Sequence, residues 1–312
     1  MSGLQIKNLS VRFSTPLGPV TAVDDVSFAQ EKKQTLALVG ETGCGKSIAA
    51  RAILNLLPPN ASIQGQILLE DKNILAMPEK EISKIRGKTI SIVFQNPTLA
   101  LNPLHTVGHQ ISEVFKIHIK LKPKAAKDLT NGLLEKMGFS HPEKYFYRYP
   151  FQFSEGMNQR VCIAAALALD PRIIIADEPT KGLDERLKAD IIEEFISIKT
   201  KKETSLLLIT HDFGLAKAIS DRIVIMYCGQ IIEIGKSKDF FARPMHPYSQ
   251  ALLASLPERG FKPIPGASPS MISPPKGCRF HPRCAHRMDM CGEIEPELIK
   301  TSGRKVKCFL YR

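Results

Sequence analysis

The amino-acid sequence predicts an α/β fold, and three stretches of the 312-residue chain carry this prediction. An apolar run at residues 35–39 leads through a glycine-rich loop at 40–47 into a predicted helix. Three consecutive isoleucines at 173–175 are typical of a parallel strand that is buried on both faces. A helix predicted at 184–198 is followed by another apolar strand at 205–209. In such sheets, ligands bind beyond the carboxyl ends of the strands.

The glycine-rich loop fits the pattern Gly-x4-Gly-Lys-Ser/Thr, which in this strand–loop–helix context indicates a phosphate-binding loop. Its candidate ligand residues are Gly40, Glu41, Thr42, Gly43, Cys44, Gly45, Lys46 and Ser47. Glycines allow the chain to curl so that backbone N–H groups converge on an anion, and the helix N-terminus adds partial positive charge. We expect Lys46 to reach the β- and γ-phosphates and the Ser47 hydroxyl to bind Mg²⁺. The loop therefore predicts a nucleotide-binding protein.

Composition excludes several other classes. Apolar residues make up 43% of the chain, which is enough for a substantial core, but the longest apolar run, residues 161–169, is far shorter than the roughly 20 residues of a membrane span. The first residues lack a secretory signal, so we expect a cytosolic protein. The net charge is +12, but the basic residues are scattered and not interleaved with aromatic residues, so we expect no nucleic-acid site.

The segments that flank the loop supply two further candidates. Strands are predicted at residues 4–13, 20–28, 66–69 and 90–94, and a helix at 79–86. Phe13, in the first strand, is a candidate for stacking on a nucleotide base, with a core aromatic residue as the alternative. Gln95 directly follows the strand at 90–94.

Residues from 96 to about 153 are predicted to form a helical insertion. Helical patterns occur at residues 107–119, 125–137 and 142–149. The insertion closes at residues 153–160, where Ser154 is a plausible N-cap of an alanine-rich helix that reaches residue 169.

Two adjacent carboxylates, Asp177 and Glu178, follow the isoleucine strand and are unsuited to a core. Asp177 is expected to hold Mg²⁺ through water, and Glu178 to polarise an attacking water. His211 follows the next strand and is expected to donate a hydrogen bond to the γ-phosphate, with a purely structural histidine as the alternative. Further strands are predicted at 223–227 and 230–234. Together with the loop, these residues predict nucleotide hydrolysis.

The C-terminal part differs in composition. Residues 257–275 contain six prolines and predict a linker or an extended wrap. Four cysteines follow, Cys278, Cys284, Cys291 and Cys308, without the paired Cys-x2-Cys spacing of zinc ribbons. Four thiolates could hold zinc or an iron–sulfur cluster, or remain free, and His281 and His286 are alternative zinc ligands. If a cluster there is structural, its loss should unfold the tail but leave nucleotide binding largely intact, because the proline-rich segment separates the two.

The order of these motifs resembles the ATP-binding subunits of ABC transporters over about the first 255 residues. The shared motifs are the phosphate loop, Gln95, residues 154–160, 177–180 and 182–184, and His211. Residues 95–97, 101–103, 246–248 and 251–253 resemble the dipeptide, oligopeptide and nickel importer branch, and residues 264–266 and 277–284 resemble its C-terminal extension.

The resemblance implies a P-loop NTPase of the ABC type, with a RecA-like core, an antiparallel β subdomain and a helical insertion subdomain at about 96–160. It places an ATP-binding domain at residues 1–255 and a proline-rich linker with a small cysteine-rich extension at 256–312. In relatives of this branch, such a tail resembles one that carries a 4Fe–4S cluster, so we favour that cluster over zinc.

Roles for individual residues follow from the resemblance alone. Gln95 is expected to touch Mg²⁺ and to transmit the nucleotide state to the permease. Ser154 and Gly156 are expected to meet the γ-phosphate of an ATP held by a partner subunit, and Asp184, with the two residues before it, to line the dimer interface. Two positions depart from the usual signature. Glu155 replaces a glycine and Asn158 replaces an arginine, both on the signature side of the ATP contact.

We therefore expect an ATP-hydrolysing subunit of a peptide importer at the cytoplasmic face of the membrane. The expected partners are a homologous ATP-binding subunit in a homo- or heterodimer, two transmembrane permease subunits and, indirectly, an extracytoplasmic peptide-binding protein. The alternatives are a soluble ABC-type ATPase in DNA repair, translation or iron–sulfur assembly, or an importer of nickel chelates. A single phosphate loop and the Leu-Asn-Pro segment at 101–103 favour the importer.

Overall fold

The computed structural model describes residues 2–201 and 204–312. The chain forms two compact units. Unit 1 contains Met1–Ala76 and Leu208–Arg312, and unit 2 contains Met77–Leu207. The resemblance implies a domain boundary near residue 255. That boundary does not separate these two units, and it stays a prediction.

The strands are β1 (Ser2–Thr15), β2 (Gly18–Glu31), β3 (Thr35–Val39), β4 (Ala61–Leu69), β5 (Lys72–Asn73), β6 (Ile90–Val93), β7 (Ile173–Asp177), β8 (Ser205–Thr210), β9 (Arg222–Tyr227), β10 (Gln230–Lys236), β11 (Ile299–Thr301) and β12 (Arg304–Val306). The helices are α1 (Lys46–Ile53), α2 (Glu79–Ile85), α3 (Pro97–Ala100), α4 (Val107–Ile119), α5 (Pro123–Lys136), α6 (Pro142–Tyr145), α7 (Glu155–Leu167), α8 (Glu185–Lys201), α9 (Phe213–Ile219), α10 (Ser237–Ala242) and α11 (Pro247–Ala254). Short 3-10 helices lie at Ile74–Ala76, Pro150–Gln152, Pro257–Arg259, His281–Arg283, Asp289–Gly292 and Phe309–Tyr311.

The first sheet of unit 1 is antiparallel, with the strand order β2-β1-β4-β5. Apolar side chains on one face of β1 are almost fully buried, as alternation along a half-buried strand requires. They are Leu4, Ile6, Leu9 and Val11. The strands predicted at 4–13 and 20–28 are confirmed and are longer at both ends. β4 begins at Ala61, five residues earlier than predicted, because its first part pairs with Ser10 to Phe13 of β1.

The second set of strands in unit 1 runs in the order β11-β12-β10-β9-β3. β3 and β9 are parallel, whereas β9, β10, β12 and β11 pair in antiparallel fashion. Both β3 and the apolar part of β9 are buried, as expected for strands inside an α/β sheet. β12 pairs Val306 with Glu233 of β10, so the cysteine-rich extension contributes two strands that the sequence analysis did not predict.

A buried carboxylate fastens the extension to unit 1. Glu233, on β10, is fully buried and accepts hydrogen bonds from the backbone N–H groups of Met245 (3.0 Å) and His246 (2.9 Å). Its Oε1 lies 3.6 Å from Nη1 of Arg304 on β12. A buried carboxylate is tolerated when hydrogen bonds and an opposite charge compensate its lost hydration.

Unit 2 contains the parallel pair β6 and β7 and the helical insertion. α4 has the bounds predicted for it, and the Thr106 hydroxyl caps its N-terminus by accepting from the His109 N–H. α5 begins and ends slightly earlier than predicted. The predicted helix at 142–149 is wrong beyond Tyr145, because the chain turns there and then forms a 3-10 helix that begins with a proline. Phe139, Tyr145 and Phe153 form an aromatic cluster within the insertion.

Candidate nucleotide site and cysteine cavity

The phosphate loop in unit 1 has the curled backbone that its glycines predict. Gly45 lies in the left-handed region (φ 106°) directly before α1. Lys46 is buried, and its Nζ lies inside the loop, where it donates to the carbonyl oxygens of Gly40 (2.8 Å) and Glu41 (2.9 Å). The loop therefore combines a helix N-terminus with a fixed ammonium group, a pairing that suits a phosphate ligand.

Two glycines in the loop have no room for a side chain. A Cβ atom on Gly40 would lie less than 2.5 Å from the Met226 carbonyl oxygen and 2.8 Å from Cys44 Sγ. A Cβ atom on Gly45 would collide with the Ala22 carbonyl oxygen. At Gly43, by contrast, the space is open, although φ is positive (82°). Close packing against backbone thus fixes the loop shape at its two ends.

Cys44 fills the interior of the loop. It is buried, its backbone N–H donates to the Glu41 carbonyl, and its own carbonyl accepts from the Gly229 N–H. Burial raises the pKa of its thiol, and Lys46 opposes that shift. The Cys44 side chain therefore fills space inside the loop.

Phe13 and His211, the other candidates in unit 1, have different surroundings. Phe13 is half-buried in β1, where it pairs with Val20 and Ala61. His211 is exposed immediately after β8. Asp212, its neighbour, caps α9 by accepting from the Leu215 N–H (3.0 Å), and this cap fixes the backbone beside the histidine. The roles of both residues stay predictions.

In unit 2, the strand register brings the predicted Mg²⁺ and base residues to one edge. β6 and β7 are parallel, with Val93 beside Ala176. Gln95 and Asp177, which follow these two positions, therefore lie at the same carboxyl ends. Asp177 and Glu178 are buried, and Glu178 has a positive φ of 50°. Non-glycine residues in this region are uncommon, although others in the described chain, such as Asn8 and Lys120, also adopt it.

The signature segment begins α7 as predicted. The Ser154 side chain accepts from the Met157 N–H (3.3 Å), so its N-cap role is confirmed. Gly156 is buried, whereas Ser154 and Glu155 are exposed. Asn158 is buried and donates from Nδ2 to the Pro150 carbonyl (3.0 Å), so this departure from the usual signature ties α7 to the preceding turn.

Glu155 lies against another candidate segment of unit 2. Its carboxylate is 3.2–3.3 Å from the point where a Cβ atom on Gly182 would lie. Gly182 has a positive φ of 75°, Leu183 is buried, and Asp184 is exposed just before α8. The residues at 182–184 and the start of α7 are therefore neighbours within one unit.

All four cysteines of the extension, and both candidate histidines, line one small cavity in unit 1. Backbone hydrogen bonds hold the segment together, including Cys278 N–H to the Cys291 carbonyl (2.8 Å) and Cys284 N–H to the His281 carbonyl (3.3 Å). Four thiols around one cavity are a suitable donor set for an iron–sulfur cluster or zinc. Within the described ranges, however, no group of three or more His, Cys, Asp or Glu side chains forms a ready metal-ion site.

Burial sets the acidity of these thiols. It raises the pKa of Cys278 to about 11, and the neighbouring Cys291, Cys308 and Cys284 add to that shift. Burial also raises the pKa of the thiols of Cys284 and Cys308. Cys278 therefore does not ionise readily without a cation, because neighbouring thiolates disfavour its charge.

The proline-rich segment does not keep the extension apart from the phosphate loop, because it wraps back onto the loop; that ATP binding survives loss of a cluster in the extension stays a prediction. Ser268 hydrogen-bonds with the Glu41 carboxylate, and Arg283 forms an ion pair with it. Arg279 bonds the Cys228 carbonyl and pairs with Asp24.

The Tyr248 hydroxyl also contacts the loop, since it accepts the Glu41 N–H (3.0 Å). Neither Tyr248 nor Arg283 was predicted from the sequence as a site residue. Both belong to motifs on which the family resemblance rests, at 246–248 and 277–284. Membership in these motifs was the sequence feature that could have marked them as site residues.

None of the helices in the described part of the chain is long and apolar enough to span a bilayer. Residues 23–181 match a family described as "ABC transporter", and residues 232–291 match one described as "Oligopeptide/dipeptide transporter, C-terminal region".

Two bacterial relatives are similar over nearly their whole length. The dipeptide transport ATP-binding protein DppD of Bacillus subtilis (strain 168) is 43% identical, covering 98% of this chain and 94% of its own. The oligopeptide transport ATP-binding protein AppD of the same organism is 42% identical, covering 99% and 96%. The solved dimeric structure of the ATP-binding cassette MJ0796 bound to ADP and Pi has a TM-score of 0.68 at 24% identity, covering 75% of this chain and 98% of that one. This similarity to a solved structure shows the fold alone.

Proposed function

Since the chain belongs to the ABC transporter family of ATPases, we propose that it is the subunit whose ATP hydrolysis energises the import of peptides through a membrane permease. The observation that carries this proposal is the match over almost the entire chain to two peptide transport ATP-binding proteins. The C-terminal match adds support, because it extends the likeness beyond the nucleotide-binding part.

The phosphate loop is proposed to hold the ATP phosphates with the backbone N–H groups of residues 40–47, and Phe13 to stack on the base. Lys46 already lies inside the loop and donates to its carbonyls, so it needs little movement to donate to a phosphate instead. Ser47, Gln95 and Asp177 are proposed to hold Mg²⁺, which neutralises charge on the phosphates when bound. Hydroxyl, amide and carboxylate oxygens fit a hard cation.

Glu178 is proposed as the general base and His211 as the donor to the γ-phosphate. The burial of Glu178, directly after Asp177, supports the first role, because it shields the carboxylate from bulk water. The position of His211, exposed directly after β8 and beside a fixed helix cap, supports the second.

The signature side is proposed to act on ATP held by a homologous partner subunit. Ser154 and Gly156 begin α7, so their N–H groups contribute to the positive end of that helix. Asp184 is proposed to lie at the subunit interface. The carboxylate of Glu155 adds a negative charge at this helix end. We therefore propose that the two ATP sites of the dimer differ, with the partner's site closing less readily.

The helical insertion is proposed to dock on a cytoplasmic loop of the permease, which two transmembrane subunits form, so that this chain lies at the cytoplasmic face of the membrane. Large apolar side chains of this segment are unusually exposed, and groups of this kind mark interaction surfaces. They are Leu99 (84%), Leu104 (81%), Phe151 (73%), Ile117 (64%) and Tyr147 (60%). An extracytoplasmic peptide-binding protein is proposed to deliver the cargo to the permease.

The cysteine extension is proposed to carry a 4Fe–4S cluster on Cys278, Cys284, Cys291 and Cys308. Their common cavity supports this proposal. Anaerobically purified protein is expected to be brown with about four irons per chain, and Cys284→Ser to bleach it. Cys162→Ser is the matched control, because Cys162 is a single buried cysteine outside the extension. Colourless protein with one zinc per chain contradicts the cluster and favours the zinc alternative.

Peptide uptake in the source organism tests the function. Deleting the gene is expected to abolish uptake of labelled dipeptides or longer peptides, and wild-type protein to restore it. Glu178→Gln is expected to bind ATP but not to restore uptake, since loss of one base typically slows hydrolysis about 10²–10⁴-fold. Glu193→Gln, an exposed position on α8, is the control and should restore uptake.

Normal peptide uptake in the deletion strain contradicts the proposal. Loss of nickel uptake alone points to the nickel-chelate alternative. Sensitivity to DNA damage, a translation defect or an iron–sulfur assembly defect without loss of uptake points to the soluble ATPases.

A further inference from the structure

Arg283, which directly precedes Cys284 in the extension, is almost completely buried against the phosphate loop. Its side chain is 6% exposed. Nη1 and Nη2 donate to the two carboxylate oxygens of Glu41, at 3.0 Å and 3.2 Å, in a bidentate pair. Nε donates to the Pro265 carbonyl at 2.8 Å, and this bond fixes the plane of the guanidinium group. Bidentate pairs of this kind are both stronger and more directional than a single ionic contact.

Glu41 is held from three directions. Besides Arg283, Ser268 bonds its carboxylate, and the Tyr248 hydroxyl accepts its backbone N–H at 3.0 Å. Tyr248 in turn contacts the ring of Phe280, which lies between Cys278 and Cys284. Side chain and backbone of this one loop residue are therefore both fixed, largely by the extension.

The restraint reaches the residue that binds phosphate. The carbonyl oxygen of Glu41 accepts from Nζ of Lys46 at 2.9 Å. The Glu41 carbonyl also accepts the Cys44 N–H, so the same peptide group sets the curl of the loop.

We propose that Arg283 is a positioning residue for the phosphate loop and that the extension, through Arg283 and Glu41, sets the affinity of this subunit for nucleotide. The inference rests on nucleotide binding by the loop and is independent of the cargo and of any metal in the extension. If Arg283 served only to fasten the extension, its loss would lower stability and leave nucleotide affinity unchanged.

The test measures the dissociation constant for MgATP by titration calorimetry on the full-length chain. Arg283→Gln and Glu41→Gln are each expected to weaken binding roughly tenfold, because each removes a charge-assisted pair. The double variant is expected to bind no more weakly than either single variant, because both act through one contact. Arg283→Lys, which keeps a charged donor, should recover part of the affinity. Arg287→Gln, an exposed arginine of the same extension, is the matched control and should bind like wild type.

Wild-type affinity in Arg283→Gln or Glu41→Gln overturns the proposal, and so do losses that add fully in the double variant. Should Arg283→Gln not fold, Glu41→Gln decides alone, since it leaves the bond from Arg283 to Pro265 in place. A wild-type chain that does not bind MgATP would refute the nucleotide site itself, a result distinct from unequal affinities among the variants.

Discussion

Replacing Gly40 by alanine is expected to damage the phosphate loop through packing alone. Gly40 is buried and does not have a positive φ, so its backbone would accept a side chain. The new methyl group, however, would lie less than 2.5 Å from the Met226 carbonyl oxygen, at the end of β9. Cβ atoms in real proteins do not approach other atoms closer than 3.0 Å, so one of the two backbones must move by more than half an ångström.

The size of the effect follows from what surrounds the methyl group. Its neighbours are a strand backbone and the Sγ atom of buried Cys44 at 2.8 Å, neither of which can swing aside. Overpacking of a close-packed interior costs about 1–3 kcal/mol, and we expect the upper end here. For a protein of this size, that corresponds to a fall in Tm of about 4–5 °C. Displaced loop amides should also weaken nucleotide binding.

Gly43→Ala is the matched control, because it has open space for the methyl group and only its φ of 82° to oppose it. We expect a loss of about 1–2 kcal/mol there. Thermal unfolding of the three proteins, followed by circular dichroism, distinguishes the two costs. If Gly40→Ala melts within 1 °C of wild type, or less severely than Gly43→Ala, the packing argument is refuted.

Three further predictions concern single side chains, two for stability and one for ATP turnover. Tyr248→Phe removes the acceptor of the Glu41 N–H and should lower the free energy of unfolding by about 1–3 kcal/mol. Tyr149→Phe, at an exposed tyrosine, is the control, and equal melting temperatures of the two variants contradict this prediction. Glu233→Gln should lower the free energy of unfolding by about 3 kcal/mol, because it leaves the charge of Arg304 uncompensated. Chemical denaturation should show this loss of stability in Glu233→Gln but not in Glu297→Gln, at an exposed position. Glu155→Gly should speed ATP turnover at the partner's site in the assembled transporter, measured with this chain's own base disabled; unchanged turnover counts against unequal sites.

Local sequence patterns were sufficient for the elements that carry the nucleotide chemistry. The loop at 40–47 was predictable because its glycines and lysine have few other uses, and Ser154 because an N-cap is decided by its own hydroxyl and the next turn. α4 was predictable to the residue, since its apolar positions repeat at helical spacing from a threonine cap.

Contacts between distant segments were beyond such patterns. Arg283 and Glu41 are 242 positions apart, and no periodicity connects them. β11 and β12 are three residues each and carry charged side chains, so their strand conformation comes from pairing with each other and with β10 rather than from propensity. The end of α6 at Tyr145 was missed because the helical pattern continues for some residues after the chain has turned.

The hairpin of β11 and β12 also determines how the sheet of unit 1 meets solvent. β10 has seven residues, nearly all buried, and its unpaired edge would present a long row of backbone donors and acceptors to other chains. The hairpin covers that edge and replaces it with β11, a three-residue strand with an exposed lysine, Lys300, opposite a second one, Lys305. Short, positively charged edges resist strand addition from neighbouring molecules. A chain shortened before residue 299 is therefore expected to self-associate through β10, even where its nucleotide chemistry is intact.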